Sequence, residues 1–137
     1  MGNFQGYYVK FGTVKMPNRY TATVTETPNQ RAEISAERDD YTQELVRVTS
    51  PFTKTKIEYT TIDGMDEDDM LAIKNVMANG LLNSLQRKYS CTYWNSESQT
   101  YVSGIFYCPD ITYEYSQIDE KTNKIYYKSV RFALIEY

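Results

Sequence analysis

One stretch of this chain has the period of an α-helix, and nearly everything around it has the period of a β-strand. Met70, Ile73, Val76, Met77, Leu81 and Leu85 recur at three- and four-residue spacings, which aligns them on one apolar stripe facing a core. Before the stripe, Asp66-Glu67-Asp68-Asp69 makes an acidic first turn suited to the positive end of a helix dipole, with Asp63 as the cap region. Gly80 either ends this helix or kinks it, and the stripe carries the predicted span over 66–86.

The flanking segments alternate at period two. Tyr7–Phe11 and Val14–Met16 are short strand candidates. In the strand Tyr20–Thr25, Tyr20, Ala22 and Val24 share one face and three threonines take the other, and Pro28-Asn29-Gln30-Arg31 ends the run. Residues 43–61 predict two polar strands of a long hairpin turning about Ser50-Pro51, with Thr55, Ile57, Tyr59 and Thr61 alternating against Lys54, Lys56 and Glu58. So little apolar surface cannot hold a hairpin alone, so it needs the domain's own sheet or a neighbouring chain beneath it. Beyond Arg87 come Tyr89–Trp94, a turn at Asn95–Ser98 and a return strand Thr100–Cys108. With the hairpin turning about Ser96-Glu97, Cys91 falls near Val102 and Cys108 near Leu85, which reads as two buried free thiols rather than a disulfide. Ile111, Tyr113 and Tyr115 alternate next, and Tyr126–Tyr137 is the longest strand, with Val130, Phe132 and Leu134 on one face. The fold class is mainly β with one helix (α+β): a single domain over 1–137, an antiparallel β-sandwich or partial barrel flanked by one amphipathic helix.

Little in the chain suggests catalysis. There is no histidine, which removes the commonest general base and metal ligand. The acidic run fails the calcium-loop pattern, because Met65 and Asp68 stand where a ligand and a glycine are required. No nucleophile elbow, phosphate loop or dinucleotide fingerprint is present. The reading is non-enzymatic, with no cofactor and no metal. A net charge of -3 without a basic patch argues against specific nucleic-acid binding, and no apolar run reaches the length of a membrane span.

The informative excess is tyrosine, 14 of 137 residues. Tyrosine joins β propensity to an apolar ring and a hydroxyl that wants a partner, which suits interfaces. Lone Trp94, with Tyr113 and Tyr126, is a candidate interface anchor. Arg31 and Arg38 are candidates for carboxylate forks between subunits, and Lys54 and Tyr59 are the hairpin's candidates.

The order of elements resembles small structural proteins of tailed bacteriophages and prophages. It consists of a short strand at Tyr8–Phe11, the threonine-rich Tyr20–Thr25, Asn29-Gln30-Arg31, a polar excursion, an acidic-start helix at Asp66–Ala78 and C-terminal strands. More broadly it is similar to the tail-tube and baseplate-hub fold. The resemblance implies a virion protein of the tail or baseplate, made in the bacterial host cytoplasm. It also implies a homo-oligomer, often a six-fold ring, that joins other phage tail proteins, its hairpin at 43–61 reaching a neighbouring subunit. The other reading of the residues is a monomeric β-rich module that binds a protein or ligand through an aromatic surface, with a concave apolar pocket near Trp94, Tyr113 and Tyr126.

Overall fold

A computed structural model of the chain describes residues 3–38 and 45–137, with side chains at 3–31 and 53–137. The fold is α+β, dominated by antiparallel sheets, with a single helix among the described residues. The strands run β1 (Val9–Phe11), β2 (Val14–Lys15), β3 (Thr21–Arg38) and β4 (Leu45–Thr61), followed by the short β5 (Met65–Asp66). Helix α1 (Glu67–Ala78) comes next, then β6 (Leu81–Asn83), β7 (Lys88–Asn95) and β8 (Thr100–Tyr107). The chain closes with β9 (Tyr115–Asp119), β10 (Lys124–Tyr127) and β11 (Arg131–Glu136). An eight-stranded sheet has the order β2-β1-β7-β8-β11-β4-β3, with β6 also on β7, and β5-β10-β9 form a second sheet of three.

The helix begins as its acidic turn predicts, but its cap is Asp66 rather than Asp63. Asp69 N donates to Asp66 Oδ1 at 3.0 Å and Asp66 N donates to Asp69 Oδ2 at 3.4 Å, a reciprocal capping box. Asp63 instead accepts from the backbone N and hydroxyl of Ser129 at 2.8 and 3.1 Å. Met70, Ile73 and Met77 are buried as the stripe requires. The predicted span 66–86 is corrected at its far end, where the helix stops at Ala78. Gly80 packs against the backbone of Ser90 and Gly12: Ser90 N donates to Gly80 O at 2.7 Å, and a Cβ on Gly80 would lie 2.5 Å from Ser90 O. Helical continuation gives way to this sheet contact, so Leu81 and Leu82 enter β6 and Leu85 is left 96 % exposed.

The expected hairpin within 43–61 is also corrected. Residues 45–61 form one strand that passes through Ser50-Pro51, and its hairpin partner is β3. (Gln43 and Glu44 lie outside the described residues.) The register jumps from Arg31↔Thr53 to Glu33↔Thr49, so Pro51 falls in a bulge where a missing N–H is tolerated. Pro28 sits at a second irregularity, between Thr27↔Lys56 and Gln30↔Lys54, with Asn29 in the left-handed region at φ 54°. The inner half of β4 is flanked by β11 from Lys56 to Thr60, whereas from Leu45 to Thr55 it pairs with β3 alone.

Around this frame the core collects Phe11, Tyr59, Tyr93, Phe106, Phe132 and Leu134, all buried. Tyr59 stacks on Phe132 with centroids 5.0 Å apart, a pairing worth about 0.5–1.5 kcal/mol beyond the area it buries. The alternation predicted at the C-terminus holds for Val130, Phe132 and Leu134. Even so, Tyr126–Tyr137 is not one strand. It breaks between β10 and β11, which belong to different sheets.

Candidate functional site

The large sheet bends far enough that β3, at one end of the strand order, meets the segment leading into β1, near the other end, and the β7–β8 turn beside it. No backbone ladder joins them among the described residues. Side chains bridge the seam instead. Tyr8 Oη lies 2.9 Å from Thr21 Oγ1, Ser96 N donates to Glu26 Oε1 at 2.9 Å, and Asn95 Nδ2 donates to Asn29 Oδ1 at 3.3 Å. Asn95 is buried and fully engaged: its Oδ1 accepts from Glu97 N and Ser98 N, an Asx arrangement that shapes the β7–β8 turn.

A cleft of about 270 Å³ opens in this seam. Phe4, Tyr8 and Trp94 contribute aromatic wall, and Val24, Glu26 and Ile57 come from β3 and β4. Trp94 meets Phe4 and Tyr101 edge-on, with centroids 5.3 and 5.1 Å away. Tyr101 also stacks on Tyr7 at 4.5 Å, donates its hydroxyl to Tyr7 O and accepts from Gln5 N, both at 2.9 Å. Tyr101 therefore pins the N-terminal segment over the β7–β8 hairpin, together with the bond that Trp94 N donates to Tyr8 O at 2.9 Å. Burial pushes the Tyr8 phenol well above its ordinary value, against the smaller opposing effect of its Thr21 hydrogen bond.

Glu26 is the charged member of this wall, which also includes the polar Ser96. Its register partner is Ile57, and Val24 pairs with Tyr59. Both β3 side chains therefore point to the face that carries the core. One carboxylate oxygen accepts from Ser96 N, while Oε2 is buried with no hydrogen-bond partner among the described residues.

A second, smaller cleft of about 210 Å³ is lined by Lys74, Arg87, Tyr89, Cys108 and Tyr113, among others. Lys74 Nζ sits 4.7 Å from the Tyr113 ring centroid, and Arg87 Nη1 donates to Pro109 O at 3.2 Å. Cys91 and Cys108 are both buried and free. Cys91 lies opposite Gly104, not Val102, and Cys108 N donates to Arg87 O. The hairpin register is thus two residues from the expected one, because the turn spans Ser96–Gln99 with Gln99 at φ 58°. Burial pushes the Cys91 thiol up to about 12.

The residues singled out from sequence scatter over the molecule. Trp94 lines the first cleft and Tyr113 the second, while Tyr126 pairs with Asp66 and Gln117 in the small sheet and lines neither. The single pocket expected near all three is corrected to two clefts. Arg31 is exposed beside Glu97, with 3.7 Å between Nη2 and Oε1. Lys54 is exposed and donates to Tyr137 O. Tyr59, at 1 % exposure, is a core residue whose hydroxyl meets Met77 Sδ at 3.3 Å; within this chain it has no surface to offer a partner. The side chain of Arg38 lies outside the described residues. Phe4, Tyr8, Glu26 and Tyr101 were not legible as site residues. Only Glu26 carried a signal, as a carboxylate continuing the alternation of Ala22 and Val24.

Among the described residues no cluster of three or more His, Cys, Asp or Glu side chains is placed to hold a metal ion, and no helix is long and apolar enough to cross a membrane. The sequence model of a family described as a family of unknown function (DUF6711) matches residues 1–137. No curated protein and no solved structure matches the chain.

Proposed function

We propose that this chain, which belongs to the family of unknown function DUF6711, is a non-catalytic module that binds a segment of another protein in the aromatic cleft of its seam. The observation that carries this reading is the grouping of Phe4, Tyr8 and Trp94 around one concave, mainly apolar opening. Tryptophan and tyrosine held in a pocket are the side chains that most often dominate binding energy between proteins. A wall of rings already packed edge-on or tilted against other rings also costs little side-chain entropy when a partner orders it. The absence of histidine from the chain and the burial of both thiols support a role without catalysis. Selection of a displayed random-peptide library on the purified protein tests the reading. The expected result is enriched peptides whose binding falls at least about tenfold in Trp94→Ala. Enrichment of none, or binding indifferent to Trp94, overturns it.

A second reading is favoured by the β3–β4 ribbon. Beyond the last rung shared with β11, these strands pair only with each other, and β3 presents its outer edge without a ladder partner among the described residues. Such an edge is a template for another strand. On this reading the chain is a structural virion protein of a phage tail or baseplate, with a tail-tube-like sandwich or partial barrel, and the ribbon joins copies into a ring or onto a neighbouring tail component. Sedimentation at increasing concentration tests it: a closed oligomer lost when 32–52 are replaced by a short turn supports this reading, and a strict monomer at all concentrations opposes it.

A further inference from the structure

We infer that the cleft is built for a basic side chain, a lysine or arginine of the bound protein, with Glu26 as its counter-charge; this rests on the binding role proposed above. Glu26 stands on the core-facing side of β3, two residues from Val24, where alternation calls for an apolar residue. Ser96 N occupies one of its oxygens and no described group reaches the other, which is buried. Glu26 is half-buried, and a carboxylate with one oxygen shielded from water and unpaired favours a donor or a positive charge beside it. None of the cleft-lining residues is basic, and nearby Arg31 is turned to Glu97.

The remaining wall fits the same visitor. Tyr8, Trp94 and Phe4 offer ring surfaces, which attract a cation through their negative faces. Ile57 and Val24 suit the methylene stem that lysine and arginine bury along apolar surface. At about 270 Å³ the space is below the roughly 300–1,000 Å³ of sites for drug-sized ligands, and is on the scale of one long side chain. An inward-pointing charge on an edge strand also discourages unwanted pairing. The test therefore reads binding rather than stability.

Trp94 is the single tryptophan, so its indole N–H gives one NMR resonance that reports directly on the cleft. The probes are N-acetyl-arginine amide and N-acetyl-lysine amide, against the neutral N-acetyl-citrulline amide and N-acetyl-norleucine amide. Expected are saturable shifts with the cations, at least about tenfold tighter than with the neutral analogues, weakening with added salt and lost in Glu26→Gln. If Glu26→Gln does not fold, Val24→Phe decides, because it fills the cleft and keeps the carboxylate; cation binding should be lost there too. Equal binding of neutral and charged probes, no shift with any probe, or cation binding unchanged in a folded variant overturns the inference. Library peptides that bind through Trp94 without requiring lysine or arginine also overturn it, but leave the binding module standing. A library that yields no peptide removes both.

Discussion

The hydroxyls of Tyr93 and Thr55 meet at 2.9 Å inside the protein, where β7 faces β4 across the core. Thr55 Oγ1 also accepts from Asn29 N at 3.2 Å, so this pair anchors the irregular turn of β3 at Pro28-Asn29. Tyr93→Phe leaves the buried threonine hydroxyl with one partner and is expected to cost about 1–2 kcal/mol. Thr55→Val should cost less in the Tyr93→Phe background than in the wild type, because the two groups lean on each other. Urea unfolding of the double-mutant cycle checks both expectations.

Gly80→Ala separates two accounts of the central segment by sign. Were residues 66–86 one helix, alanine would stabilise by roughly 1 kcal/mol over glycine. In the folded chain a Cβ at this position lies 2.5 Å from Ser90 O and 3.1 Å from Gly12 N, both backbone atoms. The expected result is destabilisation of about 1–3 kcal/mol, as for other overpacked sites, seen as a lower midpoint in urea.

That glycine marks the boundary of what the sequence reveals. The helix start, the buried faces of α1 and β11 and the β7–β8 hairpin are local patterns, and they are legible. The helix end is not, because it depends on Gly12 and Ser90 arriving from elsewhere in the chain. Leu81 and Leu85 keep helical spacing while lying outside the helix. Prolines 28 and 51 read as breaks because a ladder cannot use them, yet bulges carry β3 and β4 past both. The cleft was half visible. Trp94 drew notice by its chemistry, but Phe4 looked like a loose terminus, and its role depends on Tyr101, 97 residues later, binding its neighbour Gln5.

Glu58 gives the fold an acid-sensitive contact. Its Oε1 accepts from Arg131 Nη2 at 2.5 Å and lies 2.8 Å from Lys56 Nζ. The Arg131 guanidinium first, then the Lys56 ammonium, hold the carboxyl at about 2, below its ordinary 4.5. The folded-state value is depressed, so the stabilisation is present above about pH 4.5 and is lost as pH falls toward about 2. Melting of wild type and Glu58→Gln across that interval should show wild type ahead near neutrality and the two converging at the acid end. The difference should shrink with salt, since the pair is surface-exposed.

Native thiol labelling should be slow. With the Cys91 thiol raised from 9.0 to about 12, its thiolate fraction at pH 8 is on the order of one in ten thousand, and both cysteines are buried. Expected is no rapid reaction with an aromatic disulfide reagent at pH 8, followed by release of two equivalents in denaturant. Prompt labelling of either cysteine in the folded protein contradicts the placement of β7 and β8.

Where β3 approaches the N-terminal segment and the β7–β8 turn, the join among the described residues is sewn by separate side-chain stitches rather than woven as backbone rungs. Stitches can be released one at a time while the fabric on each side stays whole. Loss of Tyr8–Thr21, Glu26–Ser96 or Asn29–Asn95 by substitution therefore removes no rung of the sheet.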